Sequence, residues 1–241
     1  MTAMGTGVRR QILLATHNRK KLAELDRILR PQLPDVEVLS LDDVASYDEP
    51  AETEATFAGN ALLKARAAFA HSGLPAVADD SGLCVDALNG MPGVLSARWS
   101  GVDKDDARNN ALLLAQLADV PAQRRGAAFV ACVALVLPGG QEHVVEGRVA
   151  GTVATEPRAD GGFGYDPLFV PEGGTRTFAQ MSAEEKDAVS HRGRALRELV
   201  PLLAVHLPDP ACGGDRAGFA GRHDAGSRGG SSGLPGGPTG A

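Results

Sequence analysis

Two carboxylates, a hydroxyl and a glycine stand side by side at Asp79-Asp80-Ser81-Gly82, directly after the small apolar run Leu74-Pro75-Ala76-Val77-Ala78. An apolar run that stops abruptly at acids marks a buried strand whose exit loop turns its side chains into a cleft. Carboxylates placed there can hold Mg²⁺ and activate a water, because a hard cation takes oxygen ligands and phosphates complete its shell. The same residues also suit an Asx-type turn, with Asp and Ser side chains tying down the backbone and Gly82 supplying a positive φ. Residue types alone leave both readings open.

Cations are the second ingredient. Thr16-His17-Asn18-Arg19-Lys20-Lys21 follows an apolar strand candidate at 12–15 and precedes a helical pattern with Leu22, Leu25, Ile28 and Leu29 on one face. A helix start carries partial positive charge, so Lys20 and Lys21 sit where the dipole opposes them. An anion received between the lysines and the free backbone N–H groups would resolve the conflict; a solvated basic surface is the alternative. His191 and Arg192 repeat the pattern behind Ser190, a cap for a last helix running to about residue 205. Just upstream, Ser182-Ala183-Glu184-Glu185 is a capping box that starts a helix carrying Lys186. Finally, Gly161-Gly162-Phe163-Gly164-Tyr165-Asp166-Pro167 interleaves glycines, aromatics and an acid ahead of a strand at 168–170. Such a stretch lets backbone approach a ligand while a ring stacks on it, or it is a Gly-rich turn with its aromatics tucked into the core.

The elements that must position these groups alternate. Strand, polar turn and helix at the start make half of an α/β unit, and a second strand follows at 36–39, after Pro31 and Pro34. An acidic loop, Tyr47-Asp48-Glu49-Pro50-Ala51-Glu52-Thr53-Glu54, leads into a helix over 56–71 that Gly73 ends, with Asn60 and Lys64 on a shared face. Beyond the acids, residues 83–88 predict another strand and Asn89-Gly90 a tight turn. An amphipathic helix over 103–118 and two long strands over 124–137 and 143–154, joined by Pro138-Gly139-Gly140-Gln141, complete the pattern. Residues 8–207 read as one domain. From 208 onward the composition collapses into Gly, Ser, Pro and Ala, a tail expected to be disordered.

Bulk properties narrow the function. A formal net charge of -6 argues against general nucleic-acid binding through a basic surface, while leaving room for a local basic pocket. Three cysteines, Cys84, Cys132 and Cys212, are widely spaced and lack a CxxC pattern, so neither a disulfide framework nor a zinc site is indicated and a reducing cytoplasm is expected. No apolar run approaches the roughly 18 to 20 residues of a membrane span.

Taken together, the unusual stretches resemble the inosine triphosphate pyrophosphatase family, enzymes that remove deaminated purine nucleoside triphosphates from the nucleotide pool. Thr16-His17-Asn18-Arg19-Lys20-Lys21 is similar to the family's phosphate loop and Ala78-Asp79-Asp80-Ser81-Gly82-Leu83 to its metal loop. Phe163-Gly164-Tyr165-Asp166-Pro167 and Glu185-Lys186-Asp187-Ala188-Val189-Ser190-His191-Arg192 are similar to its base-binding stretches. The resemblance runs from about residue 12 to 207. It implies an α/β fold with a long mixed central sheet flanked by helices, two lobes around a nucleotide-binding cleft, Mg²⁺ and a homodimer. It makes Asp80 the general base and a metal ligand. It assigns substrate binding to Thr16, His17, Asn18, Arg19, Lys20, Lys21, Ser81, Phe163, Gly164, Tyr165, Asp166, Lys186, His191 and Arg192. Two departures stand out. Gly59 lies where the family usually has an acid before the helix asparagine, and Ala51 where a second metal-associated acid often lies, so Glu52 is the candidate second ligand. A pyrophosphatase for another modified nucleotide, or a non-catalytic nucleotide-binding module, are the alternatives.

Overall fold

The computed structural model describes residues 9–207; the expected tail, with Cys212, lies outside them. Six strands, β1 (Arg10–Leu14), β2 (Val36–Leu39), β3 (Ala76–Val85), β4 (Gly126–Val136), β5 (Glu142–Val153) and β6 (Phe169–Pro171), form one sheet in the order β2-β1-β3-β4-β5-β6. β1 runs parallel to β2 and β3, and the remaining pairs are antiparallel. Five α-helices flank it: α1 (Arg19–Leu29), α2 (Phe57–Ser72), α3 (Asp106–Gln116), α4 (Ala183–Val189) and α5 (His191–His206). The sheet is thus mixed and long, as expected.

Local chemistry explains the helix boundaries. Asn18 caps α1 by accepting from Lys20 N and Lys21 N at 3.0 and 3.4 Å. Gly73, at φ 69°, ends α2. The capping box at Ser182 and the Ser190 cap start α4 and α5 where the sequence puts them. Asn18 therefore occupies two of the N–H groups that an anion would otherwise find free at the start of α1.

One expectation is overturned. Asp79-Asp80-Ser81-Gly82 is not an exit loop or a turn; it is the middle of β3, and the strand expected at 83–88 is its continuation to Val85. β3 pairs with β4 residue by residue, from Ala76 opposite Val136 to Val85 opposite Ala127. Asp and Gly disfavour strands, but a buried, almost wholly apolar partner strand supplies a template strong enough to override them. Gly82 serves close approach rather than turning, since a Cβ there would collide with Ser96 Oγ. On its other edge β3 pairs with β1 only at Ala76 and Val77 and is met again at Leu83, Cys84 and Val85 by Ser96 Oγ, Pro92 and the Met91 carbonyl, so between them, over residues 78–82, that edge faces a gap.

Three apolar clusters build two lobes around that gap. Ile12, Leu14, Val77 and Val133 pack on one face of the sheet with Leu25 of α1 and Leu199 of α5. Their sequence neighbours Leu13, Ala76, Ala78 and Ala134 pack on the other face with Ala61 and Ala65 of α2. The far halves of β3, β4 and β5 form the second lobe, where Leu83, Phe129, Val149 and Phe169 pack with Leu113 of α3 and Leu117 just after it. Burying apolar side chains at roughly 25 cal/mol per Å² supplies most of the cohesion of each cluster.

Candidate active site

Side chains alternate along a strand, so Asp79 and Asp80 face opposite sides of the sheet. Asp79 joins the α1 and α5 side. Its carboxylate takes Lys21 Nζ at 2.8 Å and Arg192 Nε at 3.2 Å. Arg192 is held further by Glu24 at 2.6 Å and Ser81 Oγ at 3.0 Å. Asp80 joins the α2 side, where Asn60 Nδ2 donates at 3.2 Å and Lys64 Nζ lies at 3.2 Å. Lys64 also reaches Glu52 at 2.9 Å, and Arg98 holds Glu52 from the other side at 2.9 Å.

The electrostatics of the two acids diverge. Burial would raise Asp79, but Lys21 and Arg192 outweigh it and hold the carboxyl far below the usual range. Burial also raises Asp80; Lys64 offsets this only in part and the Glu52 charge adds to it, so Asp80 stays above the usual value. Lys21 is pushed down by burial, and Arg192 and Lys64 beside it add to the effect against the pull of Asp79. An ammonium crowded by other cations gains from an arriving polyanion.

All of this opens on a hollow of about 630 Å³ between the lobes. Seven lysine and arginine side chains and six carboxylates line it, a slight cationic excess inside a chain whose net charge is -6. Across the hollow stands the glycine-aromatic segment. Phe163, half-buried, lies 4.5 Å from Lys186 Nζ, 5.4 Å from the Arg192 guanidinium and 5.6 Å from Lys20 Nζ, measured to the ring centre. Lys186 pairs with Asp166 at 2.6 Å, and the same carboxylate accepts from Phe163 N at 2.9 Å. Lys20 donates to the Gly162 carbonyl at 2.8 Å, tying the α1 loop to the opposite lobe.

Every candidate site residue lines the hollow, but several do so in unexpected ways. Tyr165 is 3% exposed, in the apolar cluster of Phe129 and Phe169, and its hydroxyl donates to the Ser96 carbonyl at 2.9 Å, so of the two aromatics in this segment Phe163 is the one left at the cleft. His191 stacks on Phe129 at 4.6 Å and 7°. Burial, then Arg192 and Lys186, hold it well below the usual imidazole value, so it is neutral near pH 7. His17 bonds outward to Asp42 and Glu49 at 3.3 and 3.0 Å, and with Thr16, Asn18 and Arg19 it also lines a second hollow of about 570 Å³ outside the α1 loop. At the departure noted above, a Cβ on Gly59 would lie 2.7 Å from Glu54 Cβ, so the Glu54 side chain occupies the space that any side chain at 59 would need.

Sequence reasoning missed Glu24, Arg98, Asp106 and Asn110. Glu24 carried one usable signal, an acid three residues after Lys21 and thus beside it on the helix; the others meet their partners only through the fold.

Among the described residues no three His, Cys, Asp or Glu side chains gather as a metal cage. The donor chemistry nevertheless fits Mg²⁺, which takes one or two carboxylates and completes its shell with water and phosphate oxygens. Asp80 and Glu52 already share one cation, the Lys64 ammonium.

A gap at the edge of an α/β sheet, lined on both walls by carboxylates paired with lysine and arginine, defines an enzyme of the nucleotide-processing class. The chain belongs to the Ham1 family, whose pattern matches residues 12–202. It is 64% identical over 196 residues to a dITP/XTP pyrophosphatase of Nocardia farcinica, covering 81% of this chain and 95% of that protein. The crystal structure of a nucleoside-triphosphatase, or dITP/XTP pyrophosphatase, from Mycobacterium abscessus is 62% identical, with a TM-score of 0.66 over 79% of this chain and 99% of that one. The Ham1 protein of Staphylococcus aureus is 36% identical, with a TM-score of 0.73 over 80% of this chain and 98% of that one.

Proposed function

We propose that this chain hydrolyses deaminated purine nucleoside triphosphates, ITP, dITP and XTP, to the monophosphate and pyrophosphate. The observation that carries the reading is that a carboxylate kept basic by its surroundings, Asp80, faces the same hollow as Lys21, Lys186, Arg192 and the Phe163 ring. Its relatives at about this identity include named dITP/XTP pyrophosphatases.

Asp80 takes the proton of a water as its oxygen attacks the α-phosphorus, and the bond to the oxygen bridging the α- and β-phosphorus breaks. Lys20, Lys21 and the remaining N–H groups of the α1 loop stabilise the charge that collects on the departing pyrophosphate. Asp80 and Glu52 would hold Mg²⁺, which would supply charge neutralisation for the polyphosphate. Arg192 spends three N–H groups on Asp79, Glu24 and Ser81, which leaves two for substrate. Those donors and a neutral His191 N–H favour a 6-keto purine over adenine, whose amino group would leave donors unpaired in a dry pocket.

A homodimer in the cytoplasm completes the reading. Free Cys84 and Cys132 suit a reducing compartment, and among the described residues no helix is long and apolar enough to cross a membrane. The test is pyrophosphate release from ITP, GTP and ATP with and without Mg²⁺. Fast, Mg²⁺-dependent release from ITP and little from ATP is expected; equal rates on both overturn the pocket assignment.

A further inference from the structure

The glycine-aromatic segment is held from several directions. Lys20 donates to the Gly162 carbonyl, Asp166 accepts from Phe163 N, and Tyr165 is anchored on Ser96. The remaining hold comes from α3, which belongs to none of the motifs assigned above. Asp106 Oδ2 accepts from Gly164 N at 2.6 Å, and Asn110 Nδ2 donates to the Gly164 carbonyl at 2.9 Å. These two residues are one helical turn apart, so one face of α3 grips both backbone groups of a single glycine. Gly164 sits at φ +60°, a conformation that side-chain-bearing residues rarely adopt.

We propose that Asp106 and Asn110 are positioning residues for the nucleotide base: they fix the Gly164 peptides and thereby set the height and tilt of the Phe163 ring at the cleft. The inference rests on the reading that Phe163 contacts the base. Asn110 is buried, and while Nδ2 serves Gly164, its Oδ1 has no partner. Rotating the amide would set Oδ1 against the Gly164 carbonyl, so the orientation is imposed by the glycine. A buried acceptor left unpaired is a stability cost, and a side chain chosen for stability alone would not carry it. Asp106 also favours the α3 start as a first-turn acid, a role that needs its charge, whereas the bond to Gly164 N needs only an oxygen.

The clamp touches the base side of the cleft and not the phosphate side, which separates the readouts. Asp106→Ala should raise KM for ITP about tenfold, the effect of losing one charge-assisted bond, with kcat within about twofold and inhibition by inorganic pyrophosphate unchanged. Asp106→Asn, whose amide oxygen can still accept, should restore most of the affinity. Asn110→Ala should raise KM in the same way and carries the test if Asp106→Ala does not fold. An unchanged KM in the alanine variants, or equal loss of kcat and of pyrophosphate inhibition, overturns the proposal. Phe163→Ala measured alongside keeps the two readings apart. If it raises KM while the α3 variants do not, the clamp alone is wrong; if it leaves KM unchanged, the base reading falls.

Discussion

Asp79 and Asp80 are neighbours in the chain, identical in type and almost equally buried, yet the two sides of the sheet make opposite chemical groups of them. On the α1 and α5 side, Asp79 meets two cations and is locked as an anion. On the α2 side, Asp80 meets an amide and one ammonium that Glu52 shares, and it keeps a raised proton affinity. Burial acts in the same direction on both. What differs is the charge within reach, two cations at Asp79 against one ammonium and the Glu52 carboxylate at Asp80, so the difference in proton affinity is set by partners.

The largest effect that bears on this contrast is at Asp80. Asp80→Asn should lower kcat by about 10³-fold, within the range of a lost general base, with ITP binding within a few-fold by calorimetry. Full turnover in that variant would end the assignment. Asp79→Ala should act on stability instead. It leaves Lys21 and Arg192 buried without their shared anion, a loss of roughly 3–5 kcal/mol, read as a lower urea midpoint. A variant as stable as the parent would show that the two faces are not distinct.

The pH dependence of stability, measured in chelator, sharpens the contrast through its sign. Asp79, with a depressed native pKa, contributes stability that is present above the ordinary carboxylate value and lost as pH falls through its native value. Asp80, with a raised one, contributes below the ordinary value and loses that contribution as pH rises through its native value. As pH rises above about 4, Asp80→Asn should therefore gain stability relative to the parent, whereas the deficit of Asp79→Ala should stay nearly constant there and shrink only as pH falls below about 4, each by at most about 1.4 kcal/mol per pH unit. The smallest effect is expected at Ser81→Ala, which removes one of the three bonds on Arg192. A loss of about 1 kcal/mol in denaturation is expected there.

Much of this was legible before the structure. Alternating elements fixed the class of fold, and both caps at Ser182 and Ser190 stand where their spacing puts them. The conflict of lysines with the α1 dipole marked a loop that now faces the hollow. The acids are the exception, because Asp and Gly disfavour strands and break the apolar run. An apolar run followed by Asp-Asp-Ser-Gly looks like a strand ending, and only the ladder to β4 keeps it extended. Pairing with a strand some fifty residues later is a non-local effect that local propensity cannot contain. The same holds for Arg98 on Glu52 and for Asp106 and Asn110 on Gly164, whose partners lie 46, 58 and 54 residues away.

Because both acids ride on one pleated strand, their roles are protected by ladder register. Sliding β3 by a single rung against β4 would hand the proton-accepting position to Asp79 or Ser81 and send Asp80 toward the lysine and arginine. Inserting or deleting one residue between Ala76 and Asp79 should thus exchange the two faces while keeping both acids. The ten matched rungs of β3 on β4 act as the vernier that sets which acid receives the proton.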